Sequence, residues 1–160
     1  MEIYQKSVFS ENGITREFVQ ENYSKSAIGT IRGIGFQKNH TQGKLVRVIS
    51  GGIYDVAVDV RPKSPTFGKY FGTILSSKNN KMLWIPEGFA HGFLAIEDSS
   101  EIVYKCTNYY DPESEGGILW NDPRLAIDWP QIDCDFIINK RDKSYLAFDM
   151  QDFSWANDYL

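Results

Sequence analysis

Few residues in this chain can do acid–base chemistry, and their spacing says how they are held. Only two histidines occur, His40 and His91. His91 lies in WIPEGFAHGF, residues 84–93, with the form P-x-G-x-x-H. The apolar run Met82–Ile85 reads as the end of a strand. Pro86 has no N–H to donate and stops the ladder. Gly88 permits a turn. Residues 89–93 then re-enter a strand with His91 on one face. Such a unit delivers an imidazole to the inside of a β-barrel, and it suits a core histidine bonded to backbone equally well.

A catalytic metal site draws on two or three imidazoles plus carboxylates. With two histidines and no H-x-H, neither a metal nor another cofactor is expected. Neither Cys106 nor Cys134 has an obvious activating base beside it, so nucleophilic catalysis has little support. No phosphate-binding glycine loop is present. What remains is a polar set on predicted strands: Arg32, Lys44, Asp55, His91 and Tyr104. A fixed ammonium stabilises an oxyanion, and a tyrosine serves as a general acid. Together they suit proton abstraction next to a carbonyl, through an enolate. Each has a plainer reading. Arg32 and Lys44 are charges snorkelling over apolar neighbours, Tyr104 is a core aromatic, and Asp55 pairs with a base.

The elements that must position these groups are short and extended. Residues 17–24 alternate, with Gln20, Asn22 and Ser24 on one side. Residues 28–37 form a strand punctuated by glycines, which mark a bulge or a close approach. Lys44–Ser50 is a strand, and Gly51-Gly52 reads as a hairpin turn. Residues 53–61 alternate most clearly: Ile53, Asp55, Ala57, Asp59 and Arg61 oppose Tyr54, Val56, Val58 and Val60. Further strands fall at 69–76 and 101–107, and 108–117 reads as a loop. Short helical pieces are expected within 1–12, closed by Asn12-Gly13, and within 140–148. Phe153 and Trp155 anchor the tail. Short strands at near-regular spacing predict an all-β protein, best a jelly-roll barrel with short peripheral helices.

At 160 residues the chain is expected to form one domain, 1–160, able to bury a real core. A net charge of −4 excludes the basic field that nucleic acid requires. No apolar run approaches the ~20 residues of a membrane span. The opening MEIYQKSVFSENG lacks the apolar stretch of a secretory signal. A cytoplasmic setting with reduced cysteines is expected.

The ordered motifs QGKLVRV, DVAVD, SPTFG, WIPEGFAHGF and the pair WNDP…IDWP resemble the dTDP-4-dehydrorhamnose 3,5-epimerase family. The likeness runs from about Phe18 to Pro130. It implies a cupin jelly roll, a homodimer and chemistry without metal. The implied reaction is epimerisation of a nucleotide-linked 4-keto-6-deoxy sugar at C3 and C5. By the resemblance, Lys44 matches the enolate-stabilising lysine and Tyr104 the tyrosine acid. Arg32 matches a phosphate contact and His91 the histidine lining the sugar pocket. Gln20 and Asn22 match nucleotide-side or diphosphate-side contacts, and Gln37 falls in the same substrate-binding set. Asp142 matches the aspartate that orients the base. Two departures stand out. The family reads R-G-[LI]-H-[YF]-Q where this chain has Arg32-Gly33-Ile34-Gly35-Phe36-Gln37, so Gly35 replaces the general-base histidine. The family also carries an earlier strand and a D-x-R-G-x-F motif ahead of the matched region. The resemblance therefore implies an epimerase of altered scope in deoxysugar biosynthesis, with His40 or an Asp142-polarised water as substitutes for the base. A catalytically inactive homologue that binds a sugar nucleotide or a pathway partner is the alternative.

Overall fold

The fold is that of a computed structural model describing residues 1–159. A short helix, α1 (Lys6–Glu11), opens the chain and ends at Asn12-Gly13, as expected. Strands β1 (Gln20–Ser26), β2 (Thr30–Gln37), β3 (Lys44–Ser50), β4 (Gly52–Asp59) and β5 (Tyr70–Ser76) follow. Then come β6 (Met82–Ile85), β7 (Phe89–Ala95), β8 (Ser100–Cys106), β9 (Glu115–Gly117) and β10 (Ile137–Ile138). The one-turn helix α2 (Lys140–Lys143) and two 3-10 segments end the chain. One sheet has the order β1-β8-β3-β6 and the other β10-β2-β7-β4-β5, with β9 added to β2. Apart from the parallel β10, every ladder is antiparallel. This is the all-β cupin jelly roll that the sequence predicts.

The alternation in β4 explains how the layers pack. Ile53 and Ala57 join Val46, Val48, Ile85 and Ile102 in the core between the sheets. Val56 and Val58 face the other way, into a second core. There the C-terminal stretch lays Trp129, Phe148 and Phe153 against the back of the β2-β7-β4 sheet. Both faces of that sheet are covered, so β4 is buried along nearly its whole length. Phe153 is buried, and Trp155 stacks on Phe36 with centroids 5.2 Å apart. Both act as the anchors the sequence suggests.

Two expectations are corrected. Gly51-Gly52 is not a hairpin, because β3 and β4 belong to different sheets. The inward side chains of the two strands meet across the barrel, so the chain must cross over between them. Gly51 makes the corner at φ +73°, where a Cβ would sit 2.6 Å from Ser100 Oγ. Residues 108–117 are also more than a loop. Their last three, a side-chain-poor Glu-Gly-Gly, form β9 and pair with β2 at Gly35, Phe36 and Gln37.

At the end of β4, Asp59 is 1% exposed and accepts hydrogen bonds from Arg61, Ser64 and Thr66. Burial alone raises a carboxyl pKa. Here the Arg61, Ser64 and Thr66 bonds outweigh it and bring Asp59 from 3.8 down to about 2. A depressed folded-state pKa means stability present above the unfolded value and lost as pH falls through the folded one. Asp59 is therefore expected to contribute about 2 kcal/mol at neutral pH, fading between about pH 4 and pH 2. Urea unfolding of Asp59→Asn at pH 7 and at pH 2 checks this: a gap that fails to shrink in acid contradicts it.

Candidate active site

At one end of the barrel lies a cavity of about 170 Å³, and the two sheets supply its opposing walls. From β1, β3 and β8 come Asn22, Lys44 and Tyr104; from β2 and β7 come Arg32, Gly35 and His91. The alternation in β1 places Asn22 on the inner side, directly across from Tyr104 in the ladder. Lys44 opens β3 opposite Cys106. Burial pulls its ammonium pKa below the ordinary lysine value, opposed by Cys106, Asp55 and Glu115. Burial also raises the pKa of Tyr104, with Asn22 and the Arg32 and Arg141 cations pulling back. The hydroxyl is thus held in its proton-bearing form at neutral pH.

β2 reaches the cavity through the bulge that its glycines suggest. The register with β7 shifts between Arg32 and Gly35. Gly33, at φ +97°, lets the strands close where a Cβ would lie 2.4 Å from the His91 carbonyl oxygen. His91 is buried, yet it is not bonded to backbone. Its Nε2 lies 2.6 Å from Asp55 Oδ1, and Asp55 is fully buried on the neighbouring β4. Asp55 Oδ2 has no hydrogen-bond partner.

The structure thus brings Asn22, Arg32, Gln37, Lys44, His91 and Tyr104 to one cavity. Gln37 is engaged in bracing loops: its amide donates to His40 O and Tyr109 O, and its Oε1 accepts from Asp111 N–H. Gln20 stands just outside, bonded to Asn22 and to Tyr110 N–H. Asp142 is fully buried behind the wall and accepts from Gly33 N–H at 2.8 Å and from Arg141 Nε at 3.0 Å. His40 is exposed and pairs with Asp111 at 2.6 Å, away from the cavity lining. It does not stand in for a base.

Sequence reasoning missed a cluster at the mouth. Glu115 Oε1 accepts from Arg141 Nη1 at 2.7 Å, and Oε2 accepts from the Tyr110 hydroxyl at 3.0 Å. It also missed Tyr145, whose ring lies over Gly117, the ladder partner of Gly35. A Cβ on Gly117 would fall 2.2 Å from that ring. The Tyr145 hydroxyl is buried without a hydrogen-bond partner. Burial, with the Asp142 charge behind it, pushes its pKa upward. The only signal in the sequence is proximity to Asp142. Among the described residues, no group of three or more histidine, cysteine or acidic side chains is placed to hold a metal ion.

A cavity with a half-buried ammonium and a protonated tyrosine on one wall, and a carboxylate-held imidazole on the other, has the groups that could move a proton beside a developing oxyanion. The dTDP-4-dehydrorhamnose 3,5-epimerase of Neisseria gonorrhoeae is 55% identical over 130 residues, 81% of this chain. The chain spans 40% of that relative's length. The Escherichia coli enzyme of the same name is 50% identical over 138 residues, covering 86% of this chain and 74% of its own. The crystal structure of the dTDP-6-deoxy-D-glucose-3,5-epimerase of Legionella pneumophila in complex with dTDP-4-keto-L-rhamnose superposes with a TM-score of 0.92 at 45% identity. That match covers 96% of this chain and 82% of the other. Residues 1–150 match the family's own pattern, and the chain belongs to the dTDP-4-dehydrorhamnose 3,5-epimerase family.

Proposed function

We propose that this protein is a nucleotide-sugar epimerase. It enolises a dTDP-linked 4-keto-6-deoxy sugar and returns the proton at C3, C5 or both, in deoxysugar and cell-surface polysaccharide biosynthesis. The observation that carries this reading is the pairing of Lys44 and Tyr104 on one wall of the cavity. The ammonium receives the oxyanion that forms at the C4 ketone, and the phenol supplies a proton to carbon. Arg32 and Arg141 border the same cavity and suit the diphosphate, for which arginine offers a bidentate fork. Asn22 and Gln20 serve the nucleotide side. Family membership and the names of the relatives support the substrate class.

We also read the protein as a single-domain cytoplasmic homodimer. No helix among the described residues is long and apolar enough to cross a membrane. The outer face of the β1-β8-β3-β6 sheet leaves Tyr23 and Ile49 exposed, which suits a second copy.

Incubating the protein with dTDP-4-keto-6-deoxyglucose in D₂O and following proton NMR tests the activity. Loss of the C3 or C5 signal, with product of inverted configuration, is expected. Tight dTDP binding with neither exchange nor inversion would identify a binding homologue instead.

A further inference from the structure

Enolisation needs a base, and this cavity has no side chain at position 35 to provide one. Gly35 on β2 pairs directly across the ladder with His91 on β7. Cross-strand partners project from the same face of a sheet, with Cβ atoms about 4.5–5.5 Å apart. A base at 35 and the imidazole of His91 therefore enter from the same wall, side by side. Glycine leaves the space beside His91 clear: a Cβ there would meet only Gly116 O, at 3.8 Å.

The other proton acceptors around the cavity are occupied. Both Glu115 oxygens are engaged, by Arg141 and by Tyr110. The Asp142 oxygens take the Gly33 N–H and the Arg141 guanidinium. Tyr104 and Tyr145 are held protonated by burial. His40 lies outside. Among the described residues lining the cavity, His91 is the one imidazole, and it is held by a carboxylate as a general base is held. Its Nε2 lies 2.6 Å from a buried carboxylate, and a proton placed between them puts the ring's lone pair on Nδ1, which has no hydrogen-bond partner among the described residues.

We propose that His91, oriented by Asp55, is the general base of this protein, so that the proton position 35 cannot accept is taken one strand over, on β7. This rests on the epimerase reading of the same cavity. His91 Nδ1 takes the proton from the carbon beside the C4 ketone. The C–H electron pair becomes the enolate double bond, and the carbonyl pair moves to O4, where the Lys44 ammonium receives it. The O4 pair then returns, and Tyr104 on the facing sheet gives its hydroxyl proton to the same carbon from the opposite side. Water takes the proton from the imidazolium and restores one to the tyrosinate, so no net proton is gained or lost. Asp55 is a positioning residue, holding the tautomer and stabilising the imidazolium.

The test compares C3 and C5 exchange of dTDP-4-keto-6-deoxyglucose in D₂O for wild type, His91→Asn, Asp55→Asn and the double variant Gly35→His/His91→Asn, each with a dTDP-binding control. His91→Asn is expected to lose exchange by about 10²–10⁴-fold with dTDP affinity unchanged. The double variant regains exchange, because an imidazole enters again from the same wall. Asp55→Asn lowers kcat with KM unchanged. Exchange in His91→Asn at the wild-type rate overturns the proposal and leaves the epimerase reading standing. An inert double variant that still binds dTDP overturns it too, since His91 then serves something other than proton removal. Absence of exchange in wild type sinks the epimerase reading, and this proposal with it.

Discussion

Lys44→Met is expected to lower epimerisation by about 10²–10³-fold, the usual loss when one donor to a developing oxyanion is removed. The size follows from where the ammonium sits. Burial lowers its pKa, so the protein disfavours the charged lysine at rest. The appearance of negative charge on O4 in the enolate relieves that cost, which makes the interaction stronger in the transition state than in the ground state. Methionine keeps the length and apolar stem and removes the charge alone. The fall should appear in kcat, with affinity for dTDP, which lacks the keto sugar, unchanged. The shift also sets a pH dependence. A lysine with a lowered pKa gives up its proton at lower pH than an ordinary lysine, so the alkaline decline in rate should begin below the usual lysine range. Lys44→Met should flatten that decline. Steady-state kinetics across pH check both points, and a variant with wild-type kcat would remove Lys44 from the chemistry.

Tyr104→Phe separates two events that a single activity number merges. With the base on one sheet and the phenol on the other, loss of the hydroxyl leaves proton removal intact and takes away the acid on the opposite side. Inversion is expected to fall by about 10²–10⁴-fold. Deuterium wash-in with retained configuration persists, because the imidazolium can return a solvent-derived proton to the side it came from. Proton NMR reads both quantities in one tube. Equal loss of exchange and inversion would place Tyr104 in enolate formation rather than in delivery of the second proton.

Much of the scaffold is legible along the chain because strands carry their own periodicity. The alternation of residues 53–59 correctly separates the inward Ile53, Asp55 and Ala57 from the outward Val56 and Val58. Pro86, Gly88 and His91 correctly mark a strand, a turn and a return. Gly51-Gly52 shows the limit. A glycine pair between two strands has the same local signature whether the chain folds back beside itself or crosses to another sheet. Only the pairing of β3 with β8, and of β4 with β7, decides between them.

The site divides along the same line. The sequence put Lys44, Tyr104, His91 and Arg32 on strands, and the resemblance of its motifs to the epimerase family, rather than their spacing, singled them out as wall groups. The sequence also determined that position 35 carries no base, since a glycine is a glycine in any fold. Tertiary structure alone decided that His91 lies beside that vacant position and is held by Asp55, 36 residues away. It alone drew Glu115, Arg141 and Tyr145 from separate segments to the mouth. Local pattern reports which face of a strand a side chain occupies. Which strand lies alongside is set by burial of the whole sheet, and no spacing within a single segment encodes it.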